Sequence, residues 1–217
     1  MHGSVPRIRG PYAWRLGVLV LGLAVFAFGI VLQLESELGL SPWDVLSQGI
    51  SEQTPLSFGV ANIAVAFAVL GCAWALGARI GVGTVANATL IGLFIDGFAA
   101  VGVVARLSDQ PLVVRIGLLA AGIAIIGFAT GLYIGAWLGA GPRDSLMLVV
   151  SQRTRLRIGL ARALVELSAL ATGFALGGTV GVGTVAFALA VGPSVELGFR
   201  TIVRCGLAEP GPRAGAG

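Results

Sequence analysis

Six mostly apolar stretches follow one another along the chain, near 14–34, 56–78, 82–104, 114–138, 158–178 and 182–203. A run of about 20 such residues, wound as a helix, is long enough to cross the hydrocarbon core of a bilayer. The first is too long for the apolar region of a signal peptide and is followed by Glu35 and Glu37, so it is expected to stay as an uncleaved first span. Two shorter stretches, 42–52 and 142–152, begin at Pro42 and Pro142 and cannot span; each is expected to form an interfacial or re-entrant helix. The pattern predicts an all-α polytopic membrane protein. Its single membrane domain covers 14–204, between an N-terminal tail at 1–13 and a flexible C-terminal tail at 205–217.

Composition agrees with this reading. Hydrophobic residues make up 56% of the 217 positions and charged residues only 11%, against roughly 25% charged in soluble domains. A water-soluble fold of this size could not cover so much apolar surface. The same balance excludes a disordered chain, a nucleic-acid binder and a disulfide-stapled secreted domain. Cys72 lies in an apolar run and Cys205 in the tail, so no disulfide is expected; His2 is the only histidine, so no His-based metal site and no cofactor are expected. The partners implied are the lipid bilayer and a small-molecule solute, with no nucleic acid.

Charge fixes an orientation. All 14 basic residues are arginines. With the N-terminus placed in the cytoplasm, twelve of them fall inside, and only Arg106 and Arg115 fall outside. Excess Arg on one side marks the cytoplasmic face, so both termini are expected there. The Arg-free connection 35–55, with Glu35, Glu37, Asp44 and Glu52, fits the other side.

The chain also matches itself at an offset of 100 residues. Over 15–98 against 115–198, 30 of 84 positions are identical without a gap, including Gly81-Val82-Gly83-Thr84-Val85-Ala86, repeated letter for letter at 181–186. Pro42 and Asp44 likewise meet Pro142 and Asp144. The copies are repeat one, 14–104, and repeat two, 114–204. Each holds three predicted spans, an odd number, so the second must enter the membrane from the opposite side. Inverted repeats of this kind build many secondary transporters, with sites near the midplane between the halves.

Few residues could carry chemistry. Ser41-Pro42-Trp43-Asp44 reads as a helix start, with Ser at the N-cap, Pro at the first position, and Asp44 able to return a hydrogen bond to the Ser41 amide. Asp44 and Asp144 then either cap helices at an interface or present two helix N-termini to a shared cavity that binds substrate or a cation. The Gly-Val-Gly-Thr pairs lack the third glycine of a dinucleotide fingerprint and fit close-packed turns, with Thr84 and Thr184 capping the next helices. Ionisable groups inside spans are costly and therefore candidate site residues. Asp96 and Glu196 are repeat counterparts. Glu166 lies one turn after Arg162, where an i,i+4 ion pair can form; repeat one has Ala66 and Asn62 at these places, an asymmetry that singles out Arg162 and Glu166 for substrate contact or proton relay. Asn87 is expected to hydrogen-bond between helices.

The motifs Leu-Gly-Leu-Ser-Pro-Trp-Asp at 38–44, Leu-Ser-Phe-Gly at 56–59, Gly-Val-Gly-Thr at 81–84, Gly-Leu-Tyr-Ile-Gly at 131–135 and Gly-Pro-Arg-Asp at 141–144 resemble the YczE family of bacterial membrane proteins, grouped loosely with YyaS and YitT. The resemblance spans about 14–204 and implies a multi-pass protein of the bacterial plasma membrane. Ser145 stands where many relatives are expected to carry Gly. The resemblance supplies no catalytic residues. The leading functional expectation is a secondary transporter or permease for a small solute; the alternative is a membrane scaffold or accessory factor for another membrane or biosynthetic complex. An enzyme is not expected, for there is no Ser/His/Asp set, HExxH or CxxC motif, and no Walker motif for a pump.

Overall fold

The computed structural model describes residues 5–102 and 107–210. His2, Arg106 and Arg213 lie outside the described residues, as do the far ends of both tails and of the apolar stretch 82–104. The described chain is all-α apart from one short ribbon. In order it runs β1 (Arg7–Ile8), α1 (Tyr12–Ser36), α2 (Pro42–Gln53), α3 (Phe58–Ala75), α4 (Val82–Val101), α5 (Leu112–Gly135), α6 (Pro142–Thr154), α7 (Ile158–Ala175), α8 (Val182–Arg204) and β2 (Ala208–Glu209).

Five helices, α1, α3, α4, α5 and α8, are long and apolar enough to cross a membrane. The stretch expected as a sixth span, α7, has 18 residues with Arg162 and Glu166 in its first half and is not among the five. Large apolar side chains such as Leu93, Val113, Leu189 and Leu197 point outward, which is favourable only where lipid replaces water. Both short helices form where Pro42 and Pro142 open them, because proline at the first position lacks only an N–H that the helix could not use.

Helices α1 and α5 run antiparallel at the centre, their backbones meeting where Gly29 and Gly122 leave room. Each is tied at its end by an arginine of the other. Arg15 donates from Nε and Nη2 to the Ala136 carbonyl (2.8 and 2.5 Å) and to the Trp137 carbonyl (2.9 Å). One hundred residues on, Arg115 donates to the Ser36 carbonyl (2.8 Å) and pairs with Glu37 (3.3 Å). These charged donors satisfy carbonyls that a helix end leaves without partners.

The halves are interleaved rather than side by side. Helix α2 packs on α7 as well as on α3, and α6 packs on α3 as well as on α7. The duplicated hexapeptides dock in the same reciprocal way: the Gly83 N–H donates to the Leu138 carbonyl (2.8 Å) and the Gly183 N–H to the Leu38 carbonyl (2.7 Å). The neighbouring Gly39 and Gly139 hold φ of +116° and +137°, a conformation open to glycine and strained for other residues. Thr84 and Thr184 each accept from the N–H of the glycine three residues earlier, closing the first turns of α4 and α8.

The ribbon joins the two tails at one end of the molecule. Arg7 pairs with Glu209 and Ile8 with Ala208. Ile8 is buried with Val18, Leu132 and Ile202, while Arg9 pairs with Glu209 at 2.8 Å. Nothing in the hydropathy pattern signalled this ribbon.

Candidate functional site

A cavity of about 300 Å³ lies between the halves. Many of its lining residues come as pairs one hundred positions apart: Phe26 and Ile126, Ser41 and Gly141, Pro42 and Pro142, Trp43 and Arg143, Asn62 and Arg162, Ala66 and Glu166, Asn87 and Phe187, Ile91 and Val191. The same backbone positions of both copies therefore face one space, but the second copy supplies most of the charge.

The first residues of α2 and α6 form part of the wall. At α2, the Ser41 hydroxyl donates to the Asp44 carboxylate and its oxygen accepts from the Asp44 N–H at 3.3 Å. The return bond expected at the Ser41 amide is thus made to the hydroxyl instead, which the acid reaches directly. Asp44 sits just behind the wall at 2% exposure, with Asn62 Nδ2 and Arg143 Nη2 each 3.5 Å from Oδ1. Arg143 also lies over the Trp43 ring, 5.4 Å from its centroid, so the two helix starts meet through a cation–π contact and a weak ion pair.

At α6 the N-cap is Gly141, with no side chain to satisfy the first turn. Asp144 lines the cavity together with Arg162, Arg143, Glu166 and Tyr133. Asp144 belongs to the short helix, outside the spans. Burial raises its carboxyl above the ordinary range, while Arg162 and Arg143 pull it down. The expected i,i+4 pair is present, with Arg162 Nε 2.8 Å from Glu166 Oε1.

Four of the sequence-derived candidates, Asp144, Arg162, Glu166 and Asp44, thus lie in or directly behind the cavity. The other two do not. Asp96 binds the start of α3, and Glu196 pairs with Arg200 on its own helix at 2.6 Å. Sequence reasoning missed Arg143, Tyr133, Trp43, Asn62 and Thr130 as lining residues. Arg143 was legible by the test that found Arg162, since both replace uncharged residues of the first copy. Asn87, expected between helices, lines the cavity too.

Fold and site together define a polytopic α-helical membrane protein with a charged cavity inside its helix bundle. The chain belongs to the family of unknown function DUF6198, whose model matches residues 13–199. It is similar to an uncharacterized protein of Haemophilus influenzae, 38% identical over 191 residues that cover 87% of this chain and 85% of that protein. It is similar to the uncharacterized membrane protein YczE of Bacillus subtilis, 33% identical over 140 residues, covering 61% of each chain. The uncharacterized protein YyaS of the same bacterium is 28% identical over 141 residues, 63% of this chain and 69% of that one. The resemblance read from the motifs at 38–44 and 141–144 therefore holds. No solved structure matches the chain.

Proposed function

We propose that this protein is a secondary transporter of the bacterial plasma membrane for a small charged or zwitterionic solute. In this reading α7 is a sixth span, the two three-span repeats are inverted about an axis through the cavity, and both termini are cytoplasmic. The observation that carries it is the arrival of both short-helix N-termini, with the Arg162–Glu166 pair, at one cavity between the repeats. Helix starts aimed at a midplane site between duplicated halves are the recurring device by which such transporters hold charged groups without water. Arg143 and Arg162 can receive an anionic group, and Asp144 and Glu166 a cationic one. At about 300 Å³ the space is at the small end of ligand pockets, which suits a metabolite rather than a lipid or peptide.

The test is flux in proteoliposomes that hold a pH-reporting dye, challenged in turn with amino acids, small carboxylates and small amines. Saturable, protein-dependent movement is expected for one class, with Glu166→Gln and Asp144→Asn each lowering it at least tenfold. Equal flux in both variants would remove these carboxylates from the mechanism. No movement of any class, together with a co-purifying membrane partner, would replace the transport reading with the accessory-factor one.

A further inference from the structure

The two halves share a sequence pattern but are packed differently around the cavity. In the first half α3 and α4 touch at Gly59 and Gly92, where a methyl group on either would run into the other's carbonyl oxygen. Asp96 fastens this contact, accepting from the Ser57 hydroxyl at 2.5 Å and from the Gly59 N–H at 2.9 Å. In the second half the counterparts Gly159 and Gly192 each face open space, with nothing within 4 Å. Glu196, the counterpart of Asp96, turns away to Arg200.

The cavity is divided the same way. Tyr133, itself 7% exposed, and Val195 line it, whereas their counterparts Gln33 and Ile95 do not and are packed at 0% and 2% exposure. Neither amide atom of the Gln33 side chain has a hydrogen-bond partner among the described residues. Burying an amide in that state is costly, and a conformation that wets Gln33 removes the cost.

We infer that α3–α4 and α7–α8 are two alternating clamps on the cavity, and that the structure holds the first closed and the second open. This rests on the transport reading above. In the exchanged state Gly159 closes on Gly192, and Glu196 leaves Arg200 to accept from the Gly159 N–H beside the Arg157 guanidinium. Asp96 then releases the start of α3, and Gln33 becomes the wetted wall of a cavity open toward the end opposite the terminal ribbon. Because the exchange breaks and remakes contacts of one kind, the two states lie close in energy, as a two-state device requires. The inference also accounts for an acid at both 96 and 196, neither of which reaches the cavity.

Thiol accessibility tests it without any solute. In a Cys72→Ser/Cys205→Ser background, Gln33→Cys and Tyr133→Cys report the two sides, with a membrane-impermeant maleimide applied to right-side-out and to inverted vesicles. Gln33→Cys is expected to react only from the side opposite the termini, and Tyr133→Cys only from the terminal side. Adding Gly192→Leu, which blocks closure of the open clamp, is expected to slow Gln33→Cys at least tenfold while Tyr133→Cys reacts as fast or faster. Glu196→Gln should act in the same direction, more weakly. Unreactive Gln33→Cys, or equal rates with and without Gly192→Leu, overturns the exchange; so does loss of folding in Gly192→Leu, since that position faces open space. The expected labelling without flux of any solute would overturn the transport reading alone.

Discussion

The unequal clamps make a matched pair of substitutions informative about stability. Gly59→Ala places a methyl group against the Gly92 carbonyl and 2.5 Å from Asp96 Cγ. Obstacles of backbone and a held carboxylate cannot swing aside, so overpacking of about 1–3 kcal/mol applies near its upper end. Displacing Asp96 also weakens a charge-assisted hydrogen bond, about 1.5 kcal/mol for a partly exposed carboxylate. Against this, alanine is favoured over glycine by about 0.5–1 kcal/mol in the first turn of a helix, where Gly59 stands. The net loss is about 3–4 kcal/mol. Gly159→Ala meets nothing within 4 Å and keeps only the same helix gain, about 0.5–1 kcal/mol. The two variants should therefore differ by about 4 kcal/mol. At about 2–4 °C per kcal/mol for a chain of this size, that is a gap of about 8–16 °C with the wild type between. Fluorescence-detected gel filtration after graded heating in detergent measures it. Equal falls in both variants would refute the reasoning, for the second clamp would then be as tightly packed as the first.

Three further substitutions probe the scaffold. Arg15→Gln and Arg115→Gln each remove a charged cap from the opposite long helix and should cost about 2 kcal/mol apiece; being at opposite ends, they should add within about 0.5 kcal/mol in the double variant, and strong non-additivity in thermal melts would contradict independent caps. Ile8→Ala removes a buried anchor of the terminal ribbon at a cost of about 2 kcal/mol. Trypsin should then cut at Arg9 and Arg204 at least tenfold faster, and an unchanged rate would mean the ribbon is held by other contacts.

What the sequence made legible was local or periodic. Ser41-Pro42 and Gly141-Pro142 announced the short helices because capping and proline act within one turn. The identical hexapeptides announced the duplication, and Arg162 with Glu166 announced an ion pair at helical spacing. What stayed hidden depends on which distant segments meet. Asp96 looked like a membrane-embedded site residue, yet its partners Ser57 and Gly59 lie nearly forty positions earlier, at the start of another helix. Gln33 was one polar residue in an apolar run; only its packing against Gly122 shows both amide atoms stranded. Arg143 was counted for orientation and not for the cavity, because its neighbour Trp43 comes from the other copy. The unequal spacing of α3–α4 and α7–α8 could not be read from near-identical motifs at all, since one sequence pattern supports both arrangements.

The interleaving of α2 with α7 has a consequence for how the chain is made. Gln48 of α2 accepts from the Thr179 N–H, 131 residues further on, and its neighbour Val45 packs against Gly178. At about 5–20 residues per second of synthesis, this partner follows α2 from the ribosome only after roughly ten seconds. For that interval Asn62 of α3 can already reach Asp44 and Ser47, but the face of α2 that carries Val45 and Gln48 has no mate from its own polypeptide. The first repeat is complete on that face only when the second repeat arrives.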